Sequence, residues 1–489
     1  MRIWVLLTLS LLVVGCFGKR TQDPVSAHAA VVTELRPNIN VMAPLVIGDP
    51  HAPESSTSQI AWAKFRSELT EIKKLGAYGV STDVWWGLVE KEDNKFSWNY
   101  YDRVAKAVTD AGLKWIPILS THQCGGNVGD DCNIPLPSWL WTKYTNAQHS
   151  EQDLQYVSEQ GKASKETVSA WSSKVVVRDY REFYSAFQDQ FATYAEKISE
   201  INISLGPSGE LRYPSYNIHD VDSGYPSRGA FQSYSQSAVK SWKQYAEKLD
   251  PKINAQAMPP ISPKKWIESN HYKSPVGRQY IAWYQSSLLE HGETIMSEAI
   301  AIFSSEGSPF KGIDIGAKIP GIHWRIGTVG EKGRISFSDR LAEISAGLVN
   351  LDSESWMQDE KGRGYRDTLS LFSRLSVRSK HNRIVLHFTA LEMQDGQDRP
   401  EVQSAASTLV RWVGEEAKRQ NLPIKGENAL AGNLADANSW DKMASHVRSP
   451  ENPQGLYEGL TVLRLGDVLA NENARIAFKR LAQGNSRKP

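Results

Sequence analysis

At 489 residues the chain is long enough for one α/β barrel with extended loops or for two ordinary domains. Its 56 Lys plus Arg nearly cancel its 55 Asp plus Glu, which excludes the strong basic balance of a nucleic-acid or anionic-membrane binder and points to a neutral partner. Sixteen Trp and eighteen Tyr suit stacking on sugar rings, although filling a core is the ordinary use of such side chains.

In chain order, Met1 and Arg2 precede an apolar stretch from Ile3 to Gly15, too short for a stable membrane span and suited to an export signal over residues 1–16. It closes on Leu12-Val13-Val14-Gly15-Cys16, which resembles the lipobox of bacterial lipoproteins and implies a lipid anchor at Cys16; a plain secretory signal with an incidental cysteine is the alternative. The protein is therefore expected to be exported, either anchored at a bacterial envelope or secreted. Residues 17–35 read as a tether, and residues 36–489 as a single domain, since no Ser/Thr/Pro-rich linker divides them.

Within that domain, β-favouring apolar runs alternate with longer amphipathic stretches, the pattern of a parallel sheet wrapped by helices. The strand candidates are Asn40 to Ile47, Gly79 to Trp86, Lys114 to Ser120, Ile201 to Leu205, Gly312 to Lys318, Arg383 to Phe388, Pro423 to Gly426 and Leu460 to Leu465. Helical spacing of apolar residues marks Trp62 to Leu75, Tyr101 to Ala111, Tyr180 to Ile198 and Ala230 to Leu249. The fold expected is a TIM-type (β/α)8 barrel with long loop insertions at its C-terminal face, flanking the fourth strand on both sides.

A barrel presents its chemistry where strands end, and the polar residues there form a coherent set. Asp83 lies at the end of strand two, and His122 and Asp130 follow strand three. Gly209-Glu210-Leu211-Arg212-Tyr213-Pro214 follows strand four. Lys318 ends strand five with His323 and Trp324 just beyond, Thr389 follows strand six, Glu427-Asn428-Ala429-Leu430 follows strand seven and Arg464 lies at the end of strand eight. Each alone has an ordinary explanation as a cap, an ion pair or a satisfied core histidine; together they are harder to dismiss.

These motifs, spread from about Asn40 to Leu465, resemble the β-amylases, inverting glycoside hydrolases that release maltose from the non-reducing ends of starch-type glucans. The resemblance implies that Glu210 is the general acid and Glu427 the general base. It implies that Asp83, His122, Asp130, Lys318, His323, Trp324, Thr389, Asn428, Ala429, Leu430 and Arg464 hold the sugar or assist. Starch, glycogen-like glucans or maltooligosaccharides are then the partners, and the chemistry requires no cofactor. An inverting enzyme needs its two carboxyl groups roughly 6.5 to 9.5 Å apart, leaving room for the attacking water, and strand ends facing each other across a barrel mouth can supply this. Glu210 must hold a proton while Glu427 stays ionised, and Lys318 is suited to keeping it so.

Gly125-Gly126-Asn127-Val128-Gly129-Asp130 resembles the family's flexible lid; a rigid turn is the other reading. Cys124 and Cys132 are close enough in sequence to form a loop-closing disulfide in an oxidising compartment. Glu90, Asp93 and Asn94 make an oxygen-rich turn that suits a structural calcium, as in bacterial relatives, or is simply an acidic surface turn. Ala431-Gly432-Asn433 departs from the Pro-Arg-Tyr-type continuation of plant relatives, and Ala390 stands where those enzymes commonly have a cysteine. The 25 residues after Arg464 are too few for a separate starch-binding domain, so none is expected. Two other readings remain: a retaining α-glucan hydrolase or transglycosylase on the same barrel, or a non-catalytic glucan-binding surface protein.

Overall fold

Short runs such as Gly79–Trp85 and Ile384–Phe388 combine β-branched and apolar residues with almost complete burial. That is the signature of strands covered on both faces, as a parallel sheet inside a helical shell requires. In the computed structural model the described residues are 37–125, 130–145, 150–214, 229–249, 262–331, 334–349 and 363–484. The export signal, Cys16 and the whole tether fall outside them, as do residues 126–129 of the glycine-rich loop.

Eight strands close a barrel: β1 (Asn38–Met42), β2 (Gly79–Trp85), β3 (Lys114–Ser120), β4 (Glu200–Ile203), β5 (Asp314–Ile319), β6 (Ile384–Phe388), β7 (Ile424–Glu427) and β8 (Gly459–Val462). Every neighbouring pair is parallel, and β8 pairs with β1 to complete the ring. The expected (β/α)8 barrel is thus present. Strand register brings His387 of β6 level with Lys318 of β5 on one side and Lys425 of β7 on the other.

The helices that cover the barrel form for visible local reasons. In α1 (Ser56–Lys74) the Ser55 side chain accepts the Ser58 backbone N–H, and Trp62, Phe65, Leu69 and Ile72 recur at three- and four-residue spacing on the buried face. Helix α2 (Asn99–Asp110) buries Tyr101, Val104 and Val108 in the same way. Helix α3 (Val177–Phe191) lays Phe183 against Trp86 and Trp98, and Phe191 against Trp115. Much of the tryptophan supply therefore fills the core. Helix α4 (Pro275–Phe303) follows the long insertion after β4, and α5 (Arg363–Arg378), α6 (Ala406–Arg419), α7 (Ala437–His446), α8 (Leu465–Ala470) and α9 (Glu472–Ala482) complete the shell. Among the described residues no helix is long and apolar enough to cross a membrane.

Several boundaries differ from expectation, three of them as follows. Strand β1 stops at Met42 instead of Ile47 because Pro44 offers no N–H to a ladder and disfavours continuation. The helix expected to reach Ile198 gives way at Phe191 to a tighter 3-10 turn over Ala192–Lys197. The helix expected from Ala230 begins at Gln236, where Ser235 caps it by accepting the Ala238 N–H.

Candidate active site

The loop after β4 is folded back on itself before it delivers Glu210. A Cβ on Gly206 would meet the Glu210 carbonyl oxygen at 2.5 Å, and Ser208 and Gly209 take left-handed backbone angles (φ 55° and 79°). The loop then joins the barrel, because the Leu211 N–H donates to the Lys318 carbonyl at 3.0 Å. Tyr213 pins it from behind: its ring stacks on Tyr284 of α4 at 4.1 Å and its hydroxyl donates to the Tyr284 carbonyl at 2.8 Å. Arg212, buried, donates from Nε to the Glu210 carboxylate at 2.7 Å and from Nη2 to Ser208 Oγ at 3.1 Å.

Glu427 closes β7 and is buried. Burial alone would push its carboxyl up, but the Lys318 ammonium at 2.9 Å and His387 at 3.4 Å outweigh this and hold it down at about 2. Lys318 therefore touches the Glu427 carboxylate with its side chain while its backbone carbonyl anchors the loop that carries Glu210. One residue links both glutamates.

Asp83 accepts from Ser120 Oγ at 2.8 Å; burial raises its carboxyl, against the pull of Ser120, Arg464 and Lys318, and Asp130 adds to the rise. Asp130 accepts the Gly125 N–H at 3.0 Å, which ties down one end of the glycine-rich loop. His122 pairs with Ser204 Oγ at 2.8 Å and packs edge-on against Trp85; burial, with Lys318 and Arg212, lowers it to about 3, so its ring is neutral. Asp83, His122, Asp130, Lys318, Glu427 and Arg464 thus form one electrostatic group around the barrel mouth.

On the next loop His323 pairs with Ser404 at 2.9 Å and is held neutral, at about 4, chiefly by burial. Trp324 donates to Asp398 at 3.2 Å, with the Arg340 guanidinium 3.9 Å from its ring centre. Thr389 lies so close to Gly321 that a Cβ there would meet its Cγ2 at 2.5 Å. Asn428 spends both ends of its amide on Leu463, donating at 3.0 Å and accepting at 2.8 Å, and so clamps the β7 loop to the end of β8. Arg464 donates to the Ala43 carbonyl at 3.2 Å. Ala429 and Leu430 contribute backbone N–H groups to Glu392, and the Leu430 side chain is exposed.

Cys124 and Cys132 face each other with Cα atoms 5.6 Å apart, a separation suited to a disulfide. The oxygen-rich turn is differently employed from a calcium loop. Glu90 spends its oxygens on Trp86 Nε1 (2.6 Å) and the Asn94 N–H (2.8 Å), and burial lifts it to about 7. Asp93 meets Asp179 and Glu182 of α3, but the Lys143 ammonium already bridges Asp93 and Asp179 at 2.8 and 2.7 Å. This donor set does not fit a cation while Lys143 stays in place.

Sequence reasoning missed a layer beneath Glu427. Glu200, His387 and Lys425 are all buried inside the barrel and in contact with one another. Charged residues within strands that are otherwise buried were the available signal, since such groups need partners. Glu166, whose carboxyl burial lifts to about 7 beside Arg212, Asp130 and Glu210, was missed too; nothing in its local sequence marks it.

Residues 54–483 match the family model described as glycosyl hydrolase family 14. A β-amylase of Niallia circulans is 35% identical over 480 residues, covering 95% of this chain and 71% of that protein. A β-amylase of Bacillus cereus is 36% identical over 437 residues, 86% of this chain and 71% of that one. The crystal structure of the catalytic domain of a β-amylase from Paenibacillus polymyxa superposes with a TM-score of 0.71 at 33% identity, covering 92% of this chain and 99% of that domain.

Proposed function

The chain belongs to glycosyl hydrolase family 14, and from that premise we propose an exo-acting, inverting hydrolase of α-1,4-glucosidic bonds in which Glu210 is the general acid and Glu427 the general base. It acts on starch-type glucans and releases maltose, the activity that its likeness to the β-amylases implies. In this reading Glu210 protonates the oxygen of the departing glucan. Glu427, ionised by Lys318, draws a proton from the water that attacks the anomeric carbon from the other face. The product is the β-anomer.

The observation that carries this assignment is the double use of Lys318, whose ammonium meets Glu427 while its carbonyl holds the loop of Glu210. Asp83 and Asp130 offer acceptors to glucose hydroxyls, and the neutral His122 and His323 rings offer one donor or acceptor each. Thr389 is read as a hydrogen-bond partner of the water or the released sugar. The chemistry is read as needing no cofactor, and a structural calcium at the turn of Glu90, Asp93 and Asn94 would have to displace the Lys143 ammonium from Asp93. Export, lipid attachment at Cys16 and a Cys124–Cys132 disulfide complete the reading of an envelope or secreted enzyme.

Incubation with maltoheptaose tests the reaction: the first product is maltose, and polarimetry or NMR detects it as the β-anomer. α-Maltose as first product would instead establish a retaining mechanism. Glu210→Gln and Glu427→Gln each lose at least about a thousandfold in kcat. Near-normal turnover in either removes the corresponding role.

A further inference from the structure

Below the barrel mouth, six ionisable side chains form a chain of alternating sign. The Lys318 ammonium meets Glu427 at 2.9 Å, and Glu427 lies 3.4 Å from His387 Nδ1. His387 Nε2 pairs with Glu200, whose second oxygen pairs with the Lys425 ammonium, and Lys425 lies 3.9 Å from Asp314. Their side chains come from β4, β5, β6 and β7. Gly316 makes room for them, since a Cβ there would meet Asn202 Oδ1 at 2.3 Å and Glu200 Oε1 at 2.5 Å.

We propose that His387 is a positioning residue for the reaction: an imidazolium held between Glu200 and Glu427 that orients the Glu427 carboxylate and keeps it ionised from beneath. The inference rests on the reading of Glu427 as the base and adds to it a second cation, opposite Lys318.

The argument is one of donors and charge. Lys425 touches Glu200, so Glu200 is a carboxylate and accepts a proton-bearing Nε2 from His387. If the ring were neutral, Nδ1 would then carry a lone pair, and at 3.4 Å that lone pair would face a second carboxylate oxygen. Among the described residues Nδ1 has no other hydrogen-bond partner, and His387 is 3% exposed. Protonating Nδ1 uses that lone pair and turns the repulsive contact into an ion pair. An imidazolium lies between the two buried carboxylates, Glu200 and Glu427, and presents an N–H to each.

Further charged groups meet the two ends of the cluster. Arg383 pairs with Asp314 and Glu458 at the barrel floor, Glu458 also acts on Lys425, and Asp83 acts with Lys318 at the mouth. The net pull on His387 is upward: burial disfavours its charge, but Glu200 and then Glu427 outweigh that.

Nitrogen NMR of the full chain labelled with 15N-histidine tests the charge, with His387 assigned by its loss in His387→Gln. Both ring nitrogens are expected at imidazolium shifts at pH 7 and above; a neutral tautomer at pH 7 overturns the proposal. Kinetics test the consequence in Glu200→Gln, a residue that touches neither sugar nor water in the proposed reaction. Its kcat for maltoheptaose falls about tenfold with KM within twofold, and the acid limb of kcat/KM moves up by one to two pH units. Lys425→Met moves the limb in the same direction and serves if Glu200→Gln folds poorly. An acid limb that stays put in folded variants, checked by circular dichroism over the same pH range, overturns the positioning role. Should Glu427→Gln keep its turnover, the base assignment fails, while the nitrogen shifts still decide the charge of His387.

Discussion

Glu392 supports the proposed base without touching it. Its carboxylate accepts the backbone N–H groups of Ala429 at 3.0 Å and Leu430 at 2.8 Å, the two residues that follow Asn428 in the Glu427 loop. Removing the carboxylate leaves two partly buried donors unsatisfied, at a cost of about 1–3 kcal/mol each. Glu392→Ala is therefore expected to lose about 2–6 kcal/mol of stability in urea titration and to lower kcat at temperatures where it remains folded. Gln at this position keeps one acceptor oxygen and should lose less. Gly321 makes a different contribution: with a methyl group it would overlap Thr389 Cγ2, so Gly321→Ala must displace either the Thr389 side chain or the backbone of the His323 loop. A fall in kcat of tenfold or more is expected, read by the same maltoheptaose assay, with little change in the circular dichroism spectrum.

At the scale of elements, the strands were legible because a barrel strand buried on both faces leaves an unmistakable apolar run, and because polar residues gather where such runs end. Lys114–Ser120 was bounded to the residue. What stayed hidden were charges inside the runs. The expected fourth strand began at Ile201, one residue after Glu200, and the expected seventh contained Lys425 with no partner in view. Their partners come from strands more than a hundred residues away, and no local pattern encodes that distance; only the closed ring brings them together. The turn after β2 shows the same limit. Its acidic residues suggest calcium, whereas the cation that meets Asp93 is Lys143, from the long insertion after β3, with Asp179 and Glu182 of α3 alongside. The melting temperature of the wild-type protein should accordingly be the same within a degree in calcium and in chelator. Lys143→Ala opens the Asp93, Asp179 and Glu182 cluster, so calcium at a hundredfold its dissociation constant should then stabilise the variant by about 2.7 kcal/mol. A calcium response in the wild type would show that the ammonium does not occupy the cation position.

Across the whole molecule, burial sets opposing groups of titrating residues against each other. His122 is held at about 3, and His291, His323 and His446 at about 4, each mainly by burial that penalises the charged ring. In the unfolded chain these four would take up protons near pH 6.5. Between pH 6.5 and 4 the unfolded state thus binds more protons at these sites, and stability falls as pH falls. Glu90 and Glu166, both lifted to about 7 by burial, act oppositely, because the folded protein already holds their protons where the unfolded chain does not. His387, raised by Glu200, is protonated in both states below pH 6 and contributes no slope there. Four histidines against two glutamates leave a net uptake of about two protons on unfolding near pH 5.5, a slope of about 3 kcal/mol per pH unit. Asp83, Asp179 and Glu392, also raised by burial, flatten the decline towards pH 5. Urea midpoints at pH 6.5 and 5.5 are therefore expected to fall with acidification, well before the depressed Glu427 and Glu200 carboxylates begin to protonate. A flat or rising midpoint over that interval would mean that the buried histidines carry charge in the folded protein, which would also remove the neutral His122 and His323 rings from the proposed sugar site.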